Sequence, residues 1–286
     1  MTSIEQWWRD GEQVEFALNG SERHIFVRRL HGSATPMTLL HGFPSSSHDF
    51  AKVAPQLAES YSLLAPDFLG FGASDKPPDH RYSIHEQADL VQTLWETEGI
   101  EATAVLAHDY AVSVVQELLA RRAEGTLATD LRSIWLMNGG LYPAIHRPQP
   151  IQTLLLDPEQ GPKVSAMMNE AAMIAGLAPT FAPGYDAHAD SVAIWRSMAR
   201  DDGYKNSYLL IRYMTDRQRH ESRWVGALEQ TDVPLAFVWG MLDPVSGAHM
   251  AQRIRECLPT APFTALEDVG HWPTLEAPER VVAAIA

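Results

Sequence analysis

Ala102-Thr103-Ala104-Val105-Leu106-Ala107-His108-Asp109-Tyr110-Ala111 runs from a short apolar stretch into a helical pattern, with one acidic residue at the junction. The apolar part has the length and continuity of a buried parallel strand. Beyond it Val112, Val115, Leu118 and Leu119 recur at helical spacing, and Gln116, Glu117, Arg121 and Arg122 are expected on the opposite, wet face. Small residues flank the junction, as a sharp strand-to-helix turn requires, because neighbouring backbone approaches it closely. Here the small residues are Ala107 and Ala111, and the residue at the tip is Asp109 rather than the serine that such turns carry in esterases and lipases.

Upstream, Gln13 to Leu18 and Arg23 to Leu30 alternate polar and apolar residues across Asn19-Gly20-Ser21, the pattern of a hairpin. Met37 to Leu40 reads as a buried strand ending in His41-Gly42-Phe43-Pro44, and Ser45 to Ser47 offer an N-cap for a helix reaching about Glu59. Tyr61 to Pro66 is a further strand, followed by a Gly-rich loop from Asp67 to Pro77 and a helix capped by Ser83. Leu131 to Met137, Val233 to Trp239 and Phe263 to Leu266 complete the strands, with helices from about Ser246 and Pro278. Strands alternating with helices predict an α/β fold with a mostly parallel sheet covered on both faces. Between Leu141 and Val225 the strand pattern stops, and helical segments rich in Met and Trp are broken by Pro158, Pro162, Pro179, Pro183 and Gly184. The expected organisation is therefore a core at 1–140, a helical cap at 141–228 and the rest of the core at 229–286.

In such sheets ligands bind beyond the carboxyl ends of the strands, so the residues just past each strand carry the chemistry. Asp109, then Asp243 in Leu242-Asp243-Pro244-Val245, then His271 in Gly270-His271-Trp272-Pro273, stand in those places in the order nucleophile, acid, histidine. Singly, each is better read as a turn residue or a structural hydrogen-bonder. Together, in this order, they are hard to read as coincidence.

These stretches, with His41-Gly42-Phe43-Pro44 and Asp67 to Pro77, resemble the α/β-hydrolase superfamily over nearly the whole chain. They resemble in particular its branch with an aspartate nucleophile, which holds epoxide hydrolases and haloalkane dehalogenases. Asn138-Gly139-Gly140, His146-Arg147-Pro148 and Arg223-Trp224-Val225-Gly226-Ala227-Leu228 are most similar to the mesoderm-specific transcript group. The resemblance implies an α/β-hydrolase fold with an inserted helical cap and an alkyl ester formed on Asp109. His271, oriented by Asp243, would activate the water that hydrolyses it. Backbone N–H groups of Phe43 and Tyr110 would hold the oxyanion. Some dehalogenases of this branch place their acid where this chain has Asn138, which favours Asp243.

A departing halide needs hydrogen-bond donors. Where dehalogenases place a Trp after the nucleophile and an Asn in the first-strand motif, this chain has Tyr110 and Phe43, leaving Trp195 or Trp224 of the cap as candidates. An epoxide needs a proton donor, which epoxide hydrolases supply from cap tyrosines. Tyr213 is the expected donor, Tyr142 or Tyr208 the possible partners, and Tyr110 in the place of Trp tilts the reading towards epoxides. Phe43, Tyr110, Tyr142, Tyr208 and Trp272 are the expected substrate-binding residues. Dehalogenation, lactone opening and simple ligand binding are the competing functions.

Composition bounds the partners. In 286 residues, 22 basic against 36 acidic side chains give a net charge of −14, which argues against nucleic acid or an anionic membrane. The single cysteine, Cys257, excludes an internal disulfide, fits a reducing compartment and reads as a buried inert thiol. No secretory signal pattern opens the chain and no apolar run approaches the roughly 18 residues of a membrane span, so a cytoplasmic monomer or homodimer is expected. No His/Cys cluster has metal-ligand spacing and Gly70 and Gly72 lack a dinucleotide-binding context, so neither metal nor cofactor is expected; the partners are a small apolar substrate and water. Arg212, Arg217, Arg219 and Arg223 are expected on a solvated helix face. Met167, Met168, Met173, Met198 and Met214 are expected to fill the cap core, some of them lining the pocket.

Overall fold

The computed structural model describes all residues except Met1, Asn19, Ser33, Ala34 and Ala286, so the tip of the expected hairpin lies partly outside the described residues. Among the described residues eight strands form one sheet: β1 (Glu12–Leu18), β2 (Ser21–Leu30), β3 (Pro36–Leu40), β4 (Ser62–Pro66), β5 (Ala102–His108), β6 (Asp130–Met137), β7 (Leu235–Gly240) and β8 (Phe263–Leu266). Their spatial order is β1-β2-β4-β3-β5-β6-β7-β8. The pairs β1–β2 and β2–β4 are antiparallel, and all the others are parallel. The helices that matter below are α1 (Ile84–Thr97), α2 (Tyr110–Ala123), α3 (His188–Ala199), α4 (Tyr213–Arg219), α5 (Glu221–Gln230), α6 (Ala248–Cys257) and α7 (Pro278–Ile285).

Side chains of a strand alternate between its two faces, and β5 shows the result. Val105 and Ala107 join one apolar core with α1 and α2, while Ala104 and Leu106 join a second with Met37, Leu39 and α7. A strand buried on both faces needs a continuous apolar sequence, which is why the Ala102 stretch is so legible. Ser83 caps α1 as expected, its hydroxyl accepting from the Glu86 N–H at 3.2 Å.

Two local expectations need correction. The helix expected from Ser47 to Glu59 is a 3₁₀ turn, Ser47–Phe50, and a separate short helix, Ala54–Leu57. Pro55 has no N–H to give and its ring would clash with a preceding helical turn, so a continuous helix cannot form. Helix α2 has no wet face along most of its length: Gln116 and Glu117 are buried. Gln116 donates to the Leu141 carbonyl, and Glu117 accepts from Arg121, Arg223 and the Trp224 indole. Polar residues there are buried because they are paired.

From Met137 to Leu235 the described chain is helical or irregular, without a strand. Several buried polar contacts tie this segment to the sheet domain, and two of them are clusters. One is the Glu117 cluster. The other is Lys52, whose ammonium donates to the Tyr185 hydroxyl at 2.8 Å, to Asp190 at 3.0 Å and to the Leu275 carbonyl at 2.9 Å. Among the described residues no helix is long and apolar enough to cross a membrane. Cys257 is half-buried rather than fully buried.

Candidate active site

The turn after β5 is strained. Asp109 sits at φ 47°, ψ −102°, a region that costs a non-glycine residue of the order of 1–3 kcal/mol and persists where the surroundings enforce it. The surroundings are close on all sides. A Cβ on Gly42 would lie 3.0 Å from the Asp109 Cβ, and one on Gly139 would lie 2.7 Å from the Asp109 carbonyl oxygen. Both glycines let backbone pack directly on the turn. The result lifts the Asp109 carboxylate above the strand ends, at the N-terminus of α2.

One carboxylate oxygen, Oδ2, accepts from the Phe43 N–H at 3.1 Å. Tyr110 opens α2, so its N–H belongs to the four helical amides without an intrahelical acceptor. The other oxygen, Oδ1, lies 4.0 Å from His271 Nε2, too far for a hydrogen bond. This histidine is therefore not placed to pull a proton from the nucleophile, and a carboxylate has none to lose.

His271 is held from two sides. Its Nδ1 donates to Asp243 Oδ2 at 2.8 Å, and its backbone carbonyl accepts from His108 Nε2 at 2.7 Å. Burial alone would lower the His271 pKa, but the charge of Asp243, the hydrogen bond to it and the charge of Asp109 outweigh burial and raise it to about 9. Burial works in the opposite sense on Asp243, yet the His271 charge and several donors hold it down to about 2. The donors are the Asn138 amide at 3.0 Å, the Ser246 hydroxyl at 2.9 Å and the Val245 N–H at 2.8 Å. His108, fully buried, is driven down to about 4 by that burial and by the neighbouring His271. It works as a neutral clip between the end of β5 and the His271 loop.

Above these groups lies a cavity of about 310 Å³, with Asp109 and His271 in its wall. Phe43, Met168, Met173, Leu177, Val245 and Trp272 make most of the rest apolar, and Gln149, Gln152 and Asn169 add polar groups. Its volume is near the lower end for small-molecule sites, about 300–1,000 Å³. Met168 and Met173 thus line the cavity as expected of some cap methionines, whereas Met167 is 77% exposed.

The tyrosines divide sharply. Tyr213 is buried, its ring 4.9 Å from that of Tyr110 and 5.9 Å from that of Phe43, and its hydroxyl has no hydrogen-bond partner among the described residues. It lies one layer behind the cavity wall, against Phe43. Tyr142 and Tyr208, expected to bind substrate, do not line the cavity. The Tyr142 ring lies under the Arg253 guanidinium, facing α6, and the Tyr208 N–H is bound to the Ser165 hydroxyl within the helical segment. Tyr110 also turns away, its ring packed on Phe68 and Phe71 and its hydroxyl near the Gln87 amide. The first position of a helix can point to either side of the turn before it, and here it points into the core. Its phenol therefore neither stands in for a halide-binding Trp nor lines the cavity, and the expectation that Tyr110 binds substrate is corrected.

Two of the indole donors are engaged elsewhere, Trp224 donating to Glu117 at 2.7 Å and Trp272 to Thr180 at 2.8 Å, while the Trp195 ring lies tilted against that of Tyr204 and does not line the cavity.

Two residues have a bearing on the site that their sequence positions do not reveal. Asn138, at φ 34°, donates to both Asp243 and the Gly240 carbonyl and accepts from the Gly240 N–H at 2.7 Å. Arg217 was placed on a wet face and is 2% exposed. Arg223, expected beside it in solvent, is half-buried in its pairing with Glu117 and Glu124.

A mostly parallel sheet with a strained acidic turn after β5, a second carboxylate after β7 and a histidine after β8 defines a class, the α/β hydrolases. The chain belongs to that family: the alpha/beta hydrolase fold model matches residues 35–278. The protein named "Putative hydrolase LipZ" of Mycobacterium tuberculosis is 40% identical over 278 residues, covering 97% of this chain and 95% of that one. The mesoderm-specific transcript homolog protein of Bos taurus is 38% identical over 256 residues, covering 86% of this chain and 76% of the relative. Among solved structures, the haloalkane dehalogenase DbeA from Bradyrhizobium elkani superposes with a TM-score of 0.80 over 97% of each chain at 20% identity, a likeness of fold.

Proposed function

We propose that this protein is a hydrolase that forms a covalent ester on Asp109 and that its substrates are small, mostly apolar epoxides. The observation that carries the reading is the uncommitted hydroxyl of Tyr213, buried beside the nucleophile in a site whose nearby indole N–H groups are already bound. A phenol can protonate an oxygen leaving group; the site offers little to a halide.

In the first step an Asp109 oxygen attacks an epoxide carbon, that carbon's bond to the ring oxygen breaks, and the oxygen takes the Tyr213 proton. Phe43 lines the cavity and touches Tyr213, so a swing of its ring joins the phenol to the substrate. The ester removes the negative charge of Asp109, one of the charges that keep His271 protonated. His271 then becomes a competent base at neutral pH, takes a proton from water, and the hydroxide adds to the Asp109 carbonyl carbon. The oxyanion is held where Oδ2 now meets the Phe43 N–H, with the Tyr110 N–H at the α2 N-terminus. Collapse expels the diol, the proton on His271 returns to the Tyr213 phenolate through water, and His271 regains from solvent, as Asp109 recovers its charge, the proton that it gave up when the ester formed. Epoxide plus water gives diol, with the enzyme restored.

A panel of aryl and alkyl epoxides, haloalkanes and p-nitrophenyl esters tests this, with Tyr213→Phe beside the parent protein. Epoxide turnover is expected, slowed about 10²–10⁴-fold by the loss of a general acid. Turnover of haloalkanes alone, or an unimpaired Tyr213→Phe, would reject the epoxide reading.

A further inference from the structure

Arg217 is a buried cation whose hydrogen bonds go to no carboxylate. Its Nε donates to the Ser113 hydroxyl at 2.6 Å and its Nη2 to the Asp109 carbonyl at 3.1 Å, while Nη1 is without a hydrogen-bond partner. Burying a charge under such terms is costly, and nothing in the packing of α4 alone requires it.

The surrounding residues make room for it. A Cβ on Gly140 would fall 2.4 Å from Nη1 and 3.2 Å from the His146 ring. His146, driven down to about 3 by burial first and by Arg217 next, is a neutral neighbour that tolerates the cation. Gly139 packs on the same Asp109 carbonyl. The Gly139-Gly140 pair thus forms the floor of a slot that admits the guanidinium beneath the strained turn.

What lies over the slot is Tyr213. It precedes Arg217 by four residues on α4, so the two share a face one turn apart, and the guanidinium carbon lies 4.6 Å from the centre of the phenol ring. One side chain thereby contacts both the backbone of the nucleophile and the ring of the proposed acid.

We infer that Arg217 is a positioning residue for the epoxide-opening step proposed above, fastening Tyr213 to the turn that carries Asp109 so that acid and nucleophile keep a fixed register. The inference rests on that reading of Tyr213. The charged groups facing the phenol are Asp109 from the turn and Arg217 from its own helix, with the Tyr110 phenol beside it. Burial and Asp109 disfavour the phenolate, and Arg217 favours it. The same contact that fixes the ring therefore also eases proton release.

The test is a double-mutant cycle on ester formation, measured in single turnover by mass spectrometry in a His271→Gln background with styrene oxide. Arg217→Met should slow ester formation about 10–50-fold. In a Tyr213→Phe background the same substitution should change the remaining rate less than about threefold, because its effect passes through the phenol. Gly140→Ala, which leaves Arg217 in the chain but fills its slot, should reproduce the loss and keep the coupling to Tyr213 should Arg217→Met fold poorly. Arg217→Lys should recover part of the rate by restoring the charge without the planar fork. Losses that multiply across the cycle would overturn the inference, since a merely structural role slows the reaction whether or not the phenol is present. The two readings fail differently: a fast Tyr213→Phe removes the acid and the coupling together, whereas a slow Tyr213→Phe with multiplying losses removes the coupling alone.

Discussion

The two sides of the site are built on different terms. On the sheet side, Asp109, Asp243 and His271 each follow a parallel strand, and each is held by backbone or by a close neighbour: Phe43 N–H on Asp109, Val245 N–H and Asn138 on Asp243, His108 on the His271 carbonyl. On the helical side, Tyr213 and Arg217 sit on one seven-residue helix and owe their places to side chains reaching across to the sheet domain. In the proposed mechanism the sheet side forms and hydrolyses the ester, and the helical side decides which leaving group is helped to depart. Changes on the first side should damage every substrate, and changes on the second should discriminate among them.

The strongest way to break this division is to stop the second chemical step. His271→Gln should form the ester and fail to hydrolyse it, lowering turnover by about 10³-fold or more. Asp109 should gain the mass of the substrate, located by peptide mapping. An unmodified Asp109 after incubation with a substrate that the parent protein turns over would end the covalent mechanism for both sides at once.

The next largest effect concerns the support of the acid. Asn138→Ala removes a donor to the charged Asp243 and both contacts with Gly240. Hydrogen bonds to buried charges are worth about 1.5–3 kcal/mol, so turnover should fall about 10–100-fold for every substrate alike. A loss confined to epoxides would move Asn138 to the other side of the comparison.

How much of this could be read from sequence follows the same line. The triad was legible because a buried parallel strand has a continuous apolar signature and chemistry collects at its end; three local patterns sufficed. On the helical side the resemblance pointed to Tyr213 and no motif pointed to the rest, because its roles depend on which way side chains point across a tertiary gap. Tyr110 adjoins the nucleophile yet faces Phe68 and Gln87, and no spacing rule separates the two orientations of a first helical residue. Tyr142 was plausible by position and is turned towards α6. Arg217 was hidden in an arginine-rich stretch in which Arg212 and Arg219 are indeed exposed. The usable signal lay elsewhere: Gly139-Gly140 after β6 and Ser113 one turn into α2 are small residues around a slot, and a slot beneath a nucleophile needs an occupant.

The proton inventory gives a third test, of intermediate size. Ester formation takes no proton from His271, so its rate should respond to that group only through its charge, near the midpoint of about 9 that it has while Asp109 is ionised. Ester hydrolysis should rise with pH through a midpoint below about 9, the value to which His271 is raised while Asp109 still carries its charge. Rapid-quench measurement of the two steps separates them, and a shared midpoint would contradict the charge coupling. For stability the signs differ. The contribution of His271 is complete below its ordinary 6.5 and is lost as pH rises through about 9; that of Asp243 is present above 3.8 and is lost as pH falls towards about 2. Thermal melts should therefore plateau from about pH 4 to 6.5.

The smallest effect on chemistry should come from loosening the joint between the two sides. Lys52 belongs to the sheet domain, is 12% exposed, and holds Asp190 of α3, the Tyr185 hydroxyl and the Leu275 carbonyl together. Lys52→Met keeps much of the stem volume but leaves Asp190 buried with one fewer partner; the Tyr185 hydroxyl, at 2.6 Å, still serves it. Removing one member of a buried pair costs about 3–5 kcal/mol, and the retained tyrosine places this case at the lower end, so Tm should fall by several degrees. The triad makes no contact with Lys52, so turnover at saturation should change by less than about threefold. KM should rise instead, because the helix Glu170–Leu177, which packs on α3, carries part of the cavity wall. If kcat fell with Tm while KM stayed constant, the joint would be acting on the catalytic groups themselves, and the division between a sheet side that reacts and a helical side that selects would be too clean.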